Sequence, residues 1–196
     1  MPDDLRRSSV NAPPSSAVLT LANAVTLARL GAVPAIIWLV LREDFAAAFW
    51  LFAAAGASDA VDGWLARRRG ATAVGALLDP VSDKVLLVSL YVTLAAVKVL
   101  PDWLAILVLF RDLVIVGGVL VLAFLGQKIA IRPLPISKLN TVLQIVLVLA
   151  ALLQTAYPAS LLGHGLWALS RLLIWLVAAT TLVSGAAYIL QGTEPR

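Results

Sequence analysis

The chain has 196 residues, 61% hydrophobic and only 13% charged, with a mean hydropathy of +0.96 and a formal net charge of +4. A soluble domain of this size has too little interior to hide that much apolar surface, so lipid is expected to be part of its solvent. The lack of cysteine excludes disulfides and thiol nucleophiles, the single His164 excludes His-cluster metal sites, and the scattering of the cations argues against nucleic acid as a partner.

Residues 1–21 read as a flexible N-terminal segment. Asp3 and Asp4 beside Arg6 and Arg7, then Pro13 and Pro14, fit neither a signal nor a transit peptide. Six apolar stretches of spanning length follow: Ala22–Leu41, Phe45–Ala66, Ala76–Val97, Pro101–Phe124, Leu139–Tyr157 and Leu166–Ile189. They predict an all-α integral membrane bundle of six transmembrane helices within a single domain over 22–190, with a C-terminal tail at 191–196. Charges and turn residues separate the spans at Arg42–Asp44, Arg67–Gly70, Lys98–Asp102, Gly126–Pro135 and Pro158–Gly165. Gly163-His164-Gly165 reads as a solvated turn, and no internal repeat supports an inverted-repeat transporter.

The loop cations set an orientation. With both termini cytoplasmic, the inner side collects Arg6, Arg7, Arg67, Arg68, Arg69, Lys128, Arg132, Lys138 and Arg196, and the outer connections hold only Arg42 and Lys98. Trp38, Trp50, Trp103 and Trp167 then fall near outer span ends, as an interfacial belt would place them.

Charged side chains inside a membrane cost about 2.5–3.5 kcal/mol each on the insertion scale, and persist where they pair, bind ions or face a wet cavity. Asp59 and Asp62 lie three residues apart near the inner end of span two and share a helix face; Asp79 and Asp83, four apart at the inner start of span three, share another. A short basic loop between these spans folds them antiparallel, so the four carboxylates can converge at one depth. Such a cluster needs cations to suppress its own repulsion. Oxygen-only donors without His or Cys favour hard divalent ions, Mg²⁺ or Mn²⁺, and two of them would balance four carboxylates and bridge a diphosphate. The plainer alternative is intramembrane ion pairing with Arg67 or Lys84. Gly63 and Gly75 permit close backbone approach of a ligand, or simply close helix packing. Arg67 has the fork to hold a phosphate, and no Walker or dinucleotide glycine motif is present.

These residues form a pattern. Asp59-Ala60-Val61-Asp62-Gly63-Trp64-Leu65-Ala66-Arg67, followed by Gly75, Asp79 and Asp83, resembles the D-x2-D-G-x2-A-R…G-x3-D-x3-D signature of the CDP-alcohol phosphatidyltransferases. The spacer Arg68–Val74 is one residue shorter than the family's usual eight. The resemblance implies that Asp59, Asp62, Asp79 and Asp83 hold two metal ions and that Asp83 is also the general base. It further implies that Asp59, Asp62, Gly63, Ala66, Arg67 and Gly75 contact the cytidine diphosphate, and that the enzyme is a homodimer. Asn23, Thr26 and Arg29 in span one resemble the family's N-x2-T-x2-R opening and are expected to stand behind the site.

Deeper in the chain, Arg111-Asp112 interrupts span four and Lys138 opens span five. They read either as structural pairs, Asp112 with Arg29 or Arg111, or as a cavity in which Arg111 and Lys138 attract an anionic acceptor. Arg171 reads as a snorkelling cation. Leu77–Lys84 and the span-five run Ser137-Lys138-Leu139-Asn140-Thr141 look like the family's glycerol branch. That likeness implies CDP-diacylglycerol as donor and phosphatidylglycerol or glycerol 3-phosphate as acceptor, at the inner face of a bacterial cell membrane. A cation transporter and a Mg²⁺-dependent prenyltransferase are the competing readings. The one-sided clustering of the acids weighs against the first, and the lack of a second Asp-rich motif after Asp83 against the second.

Overall fold

Six apolar runs become six α-helices: α1 Leu21–Leu41, α2 Phe45–Arg69, α3 Ala73–Ala96, α4 Asp102–Phe124, α5 Pro135–Ala156 and α6 Leu161–Thr193. The computed structural model describes residues 21–69, 73–124, 135–158 and 161–193, with side chains at 28, 30–58, 84–118, 135–158 and 165–188. No strand occurs among the described residues. The helices form a closed ring in the order α1, α2, α5, α6, α4, α3, and α3 also touches α5 across the middle. By length and composition α5 and the Gly165–Tyr188 part of α6 are long and apolar enough to cross a membrane.

The helix stops are written in backbone hydrogen bonds. At the end of α1, Asp44 N donates to Leu39 O and Glu43 N to Val40 O, both at 3.0 Å. At the end of α3, Val99 N donates to Leu94 O and Lys98 N to Ala95 O, both at 2.9 Å. Both are Schellman caps, and each places a residue other than glycine at positive φ, Glu43 at 63° and Lys98 at 61°. Asp44 then caps the next helix, its Oδ1 accepting from Ala47 N at 3.1 Å. The α1–α2 and α3–α4 connections therefore define a turn end of the bundle, opposite the end at which α2 finishes and α3 begins.

The packed interior combines Ile36 and Val40 of α1, Phe52 of α2, Leu90, Tyr91 and Leu94 of α3, Leu104 and Val108 of α4, Leu147 and Leu152 of α5, and Val177 of α6. Large apolar side chains are equally common outside: Trp50, Ile106, Phe110, Leu113 and Trp175 are each at least 65% exposed. In lipid, apolar burial hardly distinguishes the two surfaces, so close packing and interhelical hydrogen bonds select the inward face. The buried polar residues fit that rule. Asn140 Oδ1 accepts from Thr180 Oγ1 at 2.7 Å and Thr181 Oγ1 at 3.0 Å, joining α5 to α6. Tyr91 OH donates to Gln144 O at 3.4 Å, joining α3 to α5.

Five boundaries differ from the sequence expectation by three residues or more: α2 runs through Arg69 rather than ending at Ala66, α3 starts at Ala73 rather than Ala76, α6 ends at Thr193 rather than Ile189, and α5 and α6 both start early. The helix α5 starts at Pro135 rather than Leu139, because proline suits the first helical position, where its missing N–H costs nothing. The helix α6 starts at Leu161, so Gly163-His164-Gly165 is helical and not a turn. Each glycine costs a helix about 1 kcal/mol, which a helix of 33 residues can absorb.

Candidate active site

The signature residues occupy two helix ends. Asp59, Asp62, Gly63, Ala66 and Arg67 lie on the last part of α2, and Gly75, Asp79 and Asp83 on the first part of α3. Their side chains lie outside the described residues, as does the 70–72 connection. That connection bounds the geometry: three residues can extend only about 14 Å between Arg69 and Ala73, so the two aspartate-bearing helix ends are neighbours. Asn23, Thr26 and Arg29 lie on α1, which packs against both α2 and α3, and their side chains too lie outside the described residues. Lys128 and Arg132 fall outside them altogether.

Directly after Asp83 the side chains are described, and they form a charged network through four helices. Lys84 Nζ of α3 donates to Asp112 Oδ1 of α4 at 2.6 Å. The same oxygen accepts from Arg111 Nη1 at 2.8 Å. Arg111 Nη2 donates onward to Ser137 Oγ of α5 and Ser184 Oγ of α6, each at 2.6 Å. The Arg111 and Asp112 side chains are 5% and 9% exposed, so among the described residues one buried carboxylate answers two cations and the cluster carries net positive charge. In a low-dielectric surrounding that excess favours an anion close by. The Nε of Arg111 has no hydrogen-bond partner among the described residues, which leaves one donor of this buried guanidinium open.

Of the pairings expected for Asp112, the one with Arg111 forms, and Lys84 supplies a second that sequence reasoning had assigned to the aspartate motif. Arg111 is buried, whereas Lys138 is exposed and unpaired among the described residues. Ser184 carried no signal in the sequence, since a lone serine in an apolar span has many meanings. Only the register of α6 against α4 gives it a role. Among the described residues no group of three or more His, Cys, Asp or Glu could hold a metal ion, and the four motif aspartate side chains lie outside them. Their chemistry suits a hard divalent ion, being four carboxylates with no softer donor.

A family model for CDP-alcohol phosphatidyltransferases matches residues 19–183, a stretch holding both helix ends and all of the charged network except Ser184. The chain belongs to this family. A rice chloroplast CDP-diacylglycerol–glycerol-3-phosphate 3-phosphatidyltransferase is 37% identical over 188 residues, covering 87% of this chain and 56% of the relative. A rat CMP-forming cardiolipin synthase is 31% identical over 194 residues, covering 89% of this chain and 62% of the relative. The chain thus spans less than two thirds of these two relatives. The Bacillus subtilis CDP-diacylglycerol–glycerol-3-phosphate 3-phosphatidyltransferase is 30% identical, and its match covers 90% of this chain and 97% of the relative. Membership leaves the transporter and prenyltransferase readings without support.

Proposed function

We propose that this chain transfers the phosphatidyl group of CDP-diacylglycerol to the hydroxyl of a phosphate-bearing glycerol acceptor, releasing CMP. The observation that carries the reading is the complete aspartate signature on two adjoining helix ends, with a net-positive buried network beginning one residue after Asp83. Asp59, Asp62, Asp79 and Asp83 would hold two Mg²⁺ or Mn²⁺ ions, which when bound supply charge compensation for the diphosphate and the departing CMP. Gly63, Ala66, Arg67 and Gly75 bind the cytidine diphosphate, Arg67 by its bidentate fork. Asp83 takes the proton of the acceptor hydroxyl as its oxygen bonds to the β-phosphorus, and the bond from that phosphorus to the CMP oxygen breaks. Buried Arg111 and half-buried Lys84 hold negative charge on the acceptor side, with Arg111 Nε the open donor and Lys138 an exposed guide for an arriving anion.

The reading includes a six-span bundle over 22–190 with both termini cytoplasmic, flanked by an N-terminal segment and a short tail, in a bacterial cell membrane with the aspartates facing the cytoplasm. The positive-inside distribution and the apolar exterior support it. A homodimer, with Asn23, Thr26 and Arg29 behind each site, follows the family likeness. For the acceptor, the α5 motif favours phosphatidylglycerol, which would make cardiolipin. The names of the rice and Bacillus relatives favour glycerol 3-phosphate. Purified protein given CDP-diacylglycerol and Mg²⁺ should release CMP with at least one of the two. Release with phosphatidylglycerol alone assigns cardiolipin synthesis, and release with neither removes the proposal.

A further inference from the structure

We propose a second lipid site, at the opposite end of the bundle: Arg171 with Trp167, Trp175 and Trp103 forms a seat for the phosphodiester headgroup of an anionic membrane phospholipid. The proposal rests on the membrane-embedded reading given above, but on none of the residues of the aspartate site.

The seat follows from the register of α4 against α6. The Trp103 and Trp175 rings meet with centroids 5.6 Å apart, and two turns further along both helices Arg111 bonds Ser184. The two helices therefore run parallel, and Trp175 lies level with the first turn of α4. Yet α6 begins at Leu161, so about 20 Å of it stands beyond the start of α4. Arg171 and Trp167 lie on that overhang, one and two turns past Trp175 and on the same face. Below them α4 shows Ile106 and Phe110, 67% and 65% exposed, a surface suited to acyl chains. Above that apolar wall, about one helical turn beyond the start of α4, stands a guanidinium.

The chemistry of Arg171 leaves it available. Its Cζ lies 4.6 Å from the centroid of the Trp167 ring, a cation–π contact that holds the group while leaving its N–H edges open. It has no carboxylate partner among the described residues, whereas Lys98, the cation at the α3–α4 turn, is already paired with Asp102. A planar fork with open edges matches two oxygens of a phosphodiester, and the exposed indoles carry N–H donors suited to the same interface. Arg42, stacked over Trp38 at 5.1 Å, is a contrasting case: it lies in the turn after α1, with no overhanging helix beside it.

The test uses tryptophan fluorescence of the full chain in phosphatidylcholine vesicles, because three of the chain's six tryptophans belong to the seat. A minority of acyl-brominated phosphatidylglycerol should quench more strongly than the same fraction of acyl-brominated phosphatidylcholine. Arg171→Gln should lower that excess affinity about fivefold, the worth of one basic residue near a membrane surface. Arg171→Lys should restore much of it by charge alone. Equal preference in wild type and Arg171→Gln overturns the seat, and so does quenching indifferent to headgroup. Absence of quenching by either lipid overturns the membrane-embedded reading itself. Failure of CMP release in a protein that still prefers phosphatidylglycerol through Arg171 would touch only the proposed reaction.

Discussion

At the turn end of the bundle the helices are joined by tight backbone caps and held by Leu, Val and Ala packing. At the aspartate end the same helices are tied by charge, with Lys84, Asp112, Arg111, Ser137 and Ser184 linking α3, α4, α5 and α6 through bonds of 2.6–2.8 Å. The contrast shows where this fold accepts the cost of buried charge. A turn end built from apolar contacts needs no particular partner for any one side chain. A buried ionic network needs every member, and is maintained where it also does chemistry.

Substitutions at the two ends should therefore behave differently. The largest effect is expected for Asp112→Asn, which leaves Lys84 and Arg111 facing each other without a counter-charge. Losing one member of a buried pair costs about 3–5 kcal/mol, and the partial exposure of Lys84 places this case near the lower figure. Denaturant titration of the purified protein would measure it, and a loss below about 1 kcal/mol would mean that the network is not a tie between helices. Ser184→Ala removes one acceptor from a buried guanidinium and should cost about 1–3 kcal/mol in the same titration. If Ser184→Ala costs as much as Asp112→Asn, hydrogen bonds rather than charge carry this end. The smallest change belongs to the turn end and has the opposite sign. Glu43 holds a positive φ that glycine adopts freely, so Glu43→Gly should stabilise by about 0.5–1 kcal/mol after its extra unfolded-state entropy. A destabilised Glu43→Gly protein would show that the turn depends on the glutamate side chain.

The six helices were legible because each is a long apolar run, and a run of that length has few other uses. Their ends were less so. Ile136-Ser137-Lys138 looked like a connection, yet Pro135 begins α5; the two glycines around His164 looked like a turn, yet α6 runs through them. At the first place proline's fitness for the first helical position sets the start, and at the second a helix of 33 residues absorbs the two glycines. The aspartate signature could be read directly because its spacing is local. The network behind it could not, since Lys84 and Asp112 are 28 residues apart and Arg111 and Ser184 are 73. Which face of α6 meets α4 is a property of the packed bundle, and no single helix encodes it. The lipid-facing arginine was seen in sequence only as a snorkelling cation. Its tryptophan neighbours from two helices emerge from the same register.

The central claim is that the adjoining ends of α2 and α3 carry out phosphatidyl transfer, with Asp83 accepting the proton. CMP release from CDP-diacylglycerol, compared between wild type and Asp83→Asn in the same membrane and with saturating Mg²⁺, tests it most directly. The account predicts a fall of about 10²–10⁴-fold with unfolding midpoint and helix content unchanged. Undiminished release by Asp83→Asn would contradict it.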